Sequence, residues 1–368
     1  MEITTIGIDL AKHVFALSCA DEHGKVVLRK QLRRAQLGQF LCQQQPCLVG
    51  MEACGGAHYW ARVIARLGHR VRLMSPALVA PYRKGSKHDR NDADAICEAV
   101  TRGSMRFVTV KTVAQQDLLA RHAIRQRLLR DRIALTNQIR ALLQERGVIL
   151  PKGAKGLRTG VAAALADEHH PELSGAMRAM LTELMTELGE LETRLECCSG
   201  ALAQAAEDDE RCARLLEVPG VGPLTASALV ATVGDAREFD SGRQLSAYLG
   251  LTPRQHSSGG KTVLLGISKH GNRYLRTLLI HGARAVLYGQ RCQQHPRASW
   301  MARIRAARGP NVAAVALANH NARVLWALLR RGERYSRVRA ALRPGPPAAA
   351  APKGARAQAE KLLVVKST

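Results

Sequence analysis

Asp9 closes the apolar segment "TIGID", Glu52 closes "CLVGME", and Asp89 and Asp92 lie three apart in "KHDRNDADA". If the first two segments are neighbouring strands of one sheet, both carboxylates emerge at the same edge. A spacing of three on a helix puts Asp89 and Asp92 on one face, with Cβ atoms roughly 5–6 Å apart. Asp94, five residues from Asp89, points elsewhere and is left out of the set. Four converging acids repel one another unless a cation neutralises them, and oxygen donors of this kind suit the hard divalent ions Mg²⁺ or Mn²⁺. Two such ions about 3.5–4 Å apart activate a nucleophile and stabilise the leaving oxygen in phosphoryl transfer. Taken singly, each acid is more ordinarily a turn or cap residue, and Asp89 in particular can cap the helix that follows it.

A second set lies in the last third of the chain. "RQHSSGGK" reads as a polar, flexible loop between the apolar "LSAYLGL" and a basic helix, and by composition alone it is a linker. Its serines, Ser257 and Ser258, are weak nucleophiles unless a base, a metal or a lowered pKa activates one of them. Arg254, Lys261, Lys269 and Arg273 surround this stretch. They suit either a phosphate or a solvated basic face. Upstream, "LLEVPGVGPLTASALVATVGD" reads as helix, tight turn, helix. A helix–hairpin–helix turn at Gly220 and Gly222 exposes N–H groups to a phosphate at a helix N-terminus, whatever the base. An ordinary αα-hairpin has the same pattern.

The elements that must position these groups divide into four stretches. Residues 1–108 give three strands ("EITTIGID", "HVFALSCA", "GKVVLRKQL") and then alternating helix and strand, an α/β architecture with a mixed sheet. Residues 109–208 are helical: a long arginine-rich amphipathic helix, a break near "LPKGAKG", then a longer helix. In the latter, Leu181, Leu184, Leu188, Leu191, Leu195, Cys198 and Leu202 follow the 3-4 spacing of a coiled-coil seam. That seam belongs either to a helical hairpin packed on itself or to two chains. Residues 209–335 form a helical, glycine-punctuated domain. Residues 336–368 are rich in Pro, Ala and basic residues and read as a disordered basic tail.

Charge narrows the partners. The 55 Lys and Arg against 30 Asp and Glu give +25 and predict attraction to a polyanion, nucleic acid before membrane. No apolar run is expected to reach the 18 or so residues of a membrane span, and no signal pattern opens the chain. Nine cysteines without a Cys-x-x-Cys pair point to reduced thiols in a cytosol. Aromatic residues make up only 4%, which disfavours wide base-stacking platforms.

The set "GIDLAK", "GMEACGGAHYW" and "KHDRNDADA" resembles the N-terminal domain of a family of bacterial insertion-sequence transposases. That family includes the pilin-gene invertase Piv and the bridge-RNA-guided recombinases. The resemblance implies a RuvC-like, RNase H-type fold whose DEDD acids fall on Asp9, Glu52, Asp89 and Asp92. After the glutamate, where the family often has Thr or Ser followed by Gly, this chain has "ACGG". The "GLTPR…SG" and "SKHGNRYLR" runs resemble the family's C-terminal transposase domain, whose catalytic serine aligns on Ser258 rather than Ser257.

The implied function is a DNA transposase or recombinase, guided by a structured RNA from the element's flank that pairs with donor and target DNA. The resemblance further implies composite sites in a dimer or tetramer, with the RuvC-like domain of one subunit meeting the serine domain of another. A bacterial cytoplasmic, nucleoid-associated location follows from the same expectation. Four other readings remain open. A Piv-type protein-guided invertase and a RuvC-like junction endonuclease share the acids, the latter without need of the serine. A sugar kinase or actin-like ATPase also opens with "GIDL", but a charge of +25 is odd for such an enzyme. A non-catalytic nucleic-acid-binding remnant would have a broken acid set.

Overall fold

The computed structural model describes residues 2–290 and 292–336. Apart from Ser336, the expected basic tail lies outside the described residues. The chain forms two compact units, one ending at Gln116 and the other beginning at Asp117.

The first unit is built on a six-stranded sheet ordered β3-β2-β1-β4-β5-β6. Its strands are β1 (Thr5–Asp9), β2 (Val14–Ala20), β3 (Val26–Arg33), β4 (Leu48–Glu52), β5 (Arg70–Met74) and β6 (Phe107–Val108). β1, β4 and β5 are parallel, while β2, β3 and β6 run against their neighbours. This is the expected mixed sheet, and it is consistent with a RuvC-like domain.

Side chains alternate between the faces of a strand, so each strand distributes its residues to two layers. Ile6, Ile8, Val49 and Met51 face one side and pack with α1 (Leu37–Cys42) and α2 (Ala57–Arg66), through Leu37, Phe40, Leu41, Trp60 and Ile64. On the other side lie the short α3 (Pro76–Val79) and α4 (Asp89–Val100), where Ile96, Ala99 and Val100 pack against Met74 and Val79. Gly7 and Gly50 face α4. A Cβ on Gly7 would stand 2.4 Å from the backbone nitrogen of Cys97, and one on Gly50 would stand 2.8 Å from the Cβ of Val100.

Among its described residues the second unit is helical apart from one hairpin. The helix α5 (Val113–Gln144) leads into it, followed by α6 (Gly153–Ala166) and α7 (Gly175–Glu207). The expected break near "LPKGAKG" lies between α5 and α6, and Gly153 already starts α6. Lys152 is the extended N-cap residue, and the helix carries Leu157, Val161 and Ala164 into the core. The heptad seam is filled within the chain. Leu181, Leu188, Leu191 and Leu195 of α7 pack with Leu128, Leu135, Ile139 and Leu143 of α5 and with the α6 residues. The helical hairpin therefore accounts for the pattern, with Leu184 and Cys198 only partly buried at its margin.

The rest of the unit contains α8 (Glu210–Leu216), α9 (Pro223–Val233), α10 (Gly242–Tyr248), the strands β7 (Pro253–Gln255) and β8 (Leu264–Ile267), α11 (Arg273–Tyr288), α12 (Ala298–Arg308) and α13 (Pro310–Arg331). α9 is its buried centre. Contrary to the sequence expectation, α13 is long and apolar enough to span a bilayer by length and composition. Its stripe Ala314, Leu317, Ala318, Asn321, Leu325 and Leu328 is instead buried, as in a core helix.

Candidate active site

The acids of the first unit are positioned by strand register. Ile8 pairs with Met51 in the parallel β1–β4 ladder, so Asp9 and Glu52 leave the sheet side by side at the carboxyl ends of neighbouring strands. Asp9 shares a face with Gly7, and Glu52 with Gly50, which is the face covered by α4. Since those glycines let α4 lie close on the sheet, its first turn, with Asp89 and Asp92, reaches the same edge. Asp89 does not cap α4. That role belongs to His88, whose Nδ1 accepts the Arg90 N–H at 3.2 Å.

Asp94 is held away from this edge. It accepts Ser18 Oγ at 2.6 Å and the Arg29 guanidinium through both of its oxygens. Burial works to raise the Asp94 pKa, but the hydrogen bonds from Arg29 and Ser18 outweigh it and hold the carboxyl below its ordinary value. Both oxygens of Asp94 are thus occupied by partners of its own.

The convergence is visible in the electrostatics. Burial, followed by the charges of Asp92 and Asp89, pushes the Asp9 carboxyl up. Burial, followed by Asp9 and Asp92, does the same to Glu52. Lys87 opposes both shifts, and Arg83 opposes that of Glu52. Arg83 Nη1 also donates to Asp92 Oδ1 at 3.2 Å. The donor set, all carboxylate oxygen and short of positive charge, fits a hard divalent cation. The arrangement is not a closed cage. Among the described residues no three His, Cys, Asp or Glu side chains stand close enough together to hold a metal ion as they lie. Cys54, in place of the hydroxyl residue often found after the glutamate, lies beside the acids, and its Sγ points toward Gly55 O at 3.8 Å.

Sequence reasoning missed Arg83 and Lys87. Both lie in the short basic run "RKGSK" just before the acids. Only the fold brings that run back over the carboxylates.

The serine segment is not a linker. β7 and β8 form an antiparallel hairpin, and Ser258 and Lys261 bridge at its tip, with Lys261 N donating to Ser258 O at 3.0 Å. Gly259 and Gly260 have φ of +54° and +76°. This is a two-residue turn with positive φ at both positions, which glycine supplies without strain. Ser257 stabilises the hairpin, its Oγ accepting the Gln255 side-chain amide at 2.9 Å and the Val263 N–H at 3.3 Å. Ser258 is exposed, and among the described residues no imidazole or carboxylate is hydrogen-bonded to its hydroxyl.

Arg254, Lys261, Lys269 and Arg273 are all exposed around this hairpin and the start of α11. The hairpin base is clamped by Arg276, a buried guanidinium that donates to Leu249 O and His270 O, each at 2.9 Å. Gly220 has φ +87° and packs against Gly282 of α11, where a Cβ would stand 2.8 Å from the Gly282 carbonyl oxygen. Its glycine is therefore explained by close helix packing. Gly222, at the N-cap of α9, is exposed.

Comparisons with known proteins find relatives over most of the chain. The family model for IS110-type DEDD transposases matches residues 6–147, and the one described as "Transposase IS116/IS110/IS902 family" matches residues 212–299. A probable family 20 transposase of Pseudomonas aeruginosa is 49% identical over 335 residues, covering 91% of this chain and 99% of that protein. The transposase for insertion sequence element IS1111A of Coxiella burnetii is 47% identical over 340 residues, 91% of this chain and 92% of that one. The pilin gene-inverting protein of Moraxella bovis is 36% identical over 87 residues, 23% of this chain. The protein is therefore a transposase, an enzyme of DNA cleavage and strand transfer. It belongs to the IS116/IS110/IS902 family of insertion-sequence transposases.

Proposed function

We propose that Asp9, Glu52, Asp89 and Asp92 form a catalytic DEDD set that binds Mg²⁺ or Mn²⁺, and that Ser258 is the nucleophile. The observation that carries this reading is the meeting of two strand-end carboxylates with the first turn of α4. A bound divalent ion would polarise the scissile phosphate and ease the loss of the serine proton. Ser258 Oγ attacks the phosphorus, the P–O3′ bond breaks, and the released 3′ oxygen takes up a proton. A 3′-hydroxyl from the partner strand then attacks the phosphoserine, restoring the serine and joining the strands. Arg254, Lys261, Lys269 and Arg273 hold the phosphate backbone beside the hairpin. Gly222, with its exposed position at the start of α9, is better suited to a backbone phosphate than Gly220.

The exposed serine, with no base bonded to it among the described residues, supports a composite site in a dimer or tetramer, in which the acid-bearing domain of one subunit serves the serine of another. A charge of +25 with 4% aromatic residues supports a structured guide RNA read by backbone and shape, with base pairing choosing donor and target DNA. Its place of action is the bacterial nucleoid. The domain boundaries proposed for this division of labour are 1–108, 109–208 and 209–335, with a basic tail beyond. A second reading, a protein-guided invertase, draws on the match to the pilin gene-inverting protein.

The test is to express the gene with its native flanking DNA, purify the protein and sequence the RNA that stays bound. One discrete species from the flank supports guidance. Random cellular RNA, or none, favours the invertase.

A further inference from the structure

The acid cluster already contains a cation of its own. Arg83 follows α3 and a single helical turn, and its guanidinium donates to Asp92 Oδ1 at 3.2 Å. The pair is partly shielded, with 32% of the Arg83 side chain and 18% of the Asp92 side chain exposed. Next in the same segment, Lys84 is engaged elsewhere, pairing with Glu98 at 3.0 Å. Arg83 is thus the member of the run aimed at a candidate ligand. Gly85, with φ +85°, turns the chain between Arg83 and Lys87 so that both approach the acids. A positively charged strap of five residues therefore lies against the acidic edge.

A guanidinium and a divalent ion compete for the same carboxylate lone pairs. We infer that Arg83 is the resident counter-cation of the acid set, displaced from Asp92 when a divalent ion binds and then free to take a phosphate oxygen of the DNA. This inference rests on the DEDD reading above and adds a positioning residue to it. The chemistry suits the exchange. Arginine binds carboxylate and phosphate with the same planar donors, and it stays charged through the transfer. Before ion binding the guanidinium limits repulsion among the acids. Afterwards the phosphate supplies the negative charge that Asp92 has given to the ion.

The test is Mn²⁺ binding to the full-length protein without DNA, followed by electron paramagnetic resonance, in wild type, Arg83→Gln, Arg83→Lys and Asp92→Asn. Losing a partly exposed competing charge should tighten Mn²⁺ binding about fivefold in Arg83→Gln, with Arg83→Lys close to wild type. At saturating Mn²⁺, Arg83→Gln should bind DNA more weakly than wild type. Equal or weaker Mn²⁺ binding by Arg83→Gln, in protein whose thermal unfolding matches wild type, overturns the inference. Should Arg83→Gln not fold, Arg83→Met takes its place under the same criterion. Unchanged Mn²⁺ binding by Asp92→Asn would instead remove the DEDD reading itself, so the two failures are distinguishable.

Discussion

Gly7 and Gly50 are paired in register across the parallel β1–β4 ladder, and each is the point at which α4 touches its strand. Two adjacent residues without side chains make a flat floor, and the helix that carries Asp89 and Asp92 lies on it. The glycines are set two residues before Asp9 and Glu52, so one short alternation fixes both the floor and the acids.

Gly7→Ala tests that floor. The new methyl would stand 2.4 Å from Cys97 N and 2.5 Å from Ala93 O, both backbone atoms that cannot rotate away. We expect about 3 kcal/mol of destabilisation of the first unit, seen in calorimetry, with strand transfer lost in parallel. An unchanged melting profile would show that α4 does not bear on β1 in this way.

Asp9→Asn separates the acids from the fold. Asp9 is pushed up by burial and by the charges of Asp92 and Asp89, so its ionised form is a cost to the folded state at neutral pH. Without added divalent ion the variant should melt at or above the wild-type temperature. Adding Mg²⁺ or Mn²⁺ should raise the melting temperature of wild type and leave the variant largely unmoved. Strand transfer should be abolished. A variant that keeps full activity would remove Asp9 from the chemistry.

The two serines make opposite predictions. Ser258→Ala should eliminate any covalent protein–DNA adduct detected by mass spectrometry while the ion-dependent rise in melting temperature persists. Ser257→Ala removes an acceptor of two hydrogen bonds within the hairpin. It should slow adduct formation through a looser turn, yet not prevent it.

His122 gives the second unit an acid-sensitive joint. It is 1% exposed. Because Ser227 Oγ donates to Pro223 O at 2.7 Å, it accepts from His122 Nε2–H at 3.1 Å, leaving Nδ1 to accept the Tyr274 hydroxyl at 2.9 Å. The ring is therefore neutral, and burial, followed by the Arg125 charge, lowers its pKa from 6.5 to about 4. A histidine pKa depressed by folding contributes stability above the unfolded value that is lost as pH falls. The loss should run from about pH 6.5 to about 4 and total on the order of 3 kcal/mol. His122→Gln should lower stability at pH 7 and flatten the dependence across that interval, as followed by urea unfolding.

Much of the first unit was legible from sequence because its signals are local. Strands such as "TIGID" and "CLVGME" are apolar runs ended by a polar residue, and three residues of spacing suffices to pair Asp89 with Asp92. The side on which Asp94 lies also followed from spacing. Arg83 was not legible, since a basic residue nine positions before Asp92 acquires meaning only once the intervening strap folds back. The hairpin around Ser258 was missed because its strands are short and exposed, and "SSGG" has the composition of a linker whether or not it turns. The break near "LPKGAKG" is real, since α5 ends at Gln144, but α6 was missed because Gly153 and Gly156, which read as loop residues, lie in its first turn.

The contacts of Asp94 have a consequence of their own. Ser18 sits on β2, opposite Gly7 of β1, and Arg29 on the edge strand β3, and they grip α4 two residues beyond Asp92. They work as an indexing pin: with Asp94 seated, the helix can neither slide nor roll, and the offset between its acids and those of the sheet is set. On the proposed reading of the acids, relatives that differ at Ser18 or Arg29 would be tuned in ion preference by residues that never meet the ion, and a search for such tuning should begin at β2 and β3.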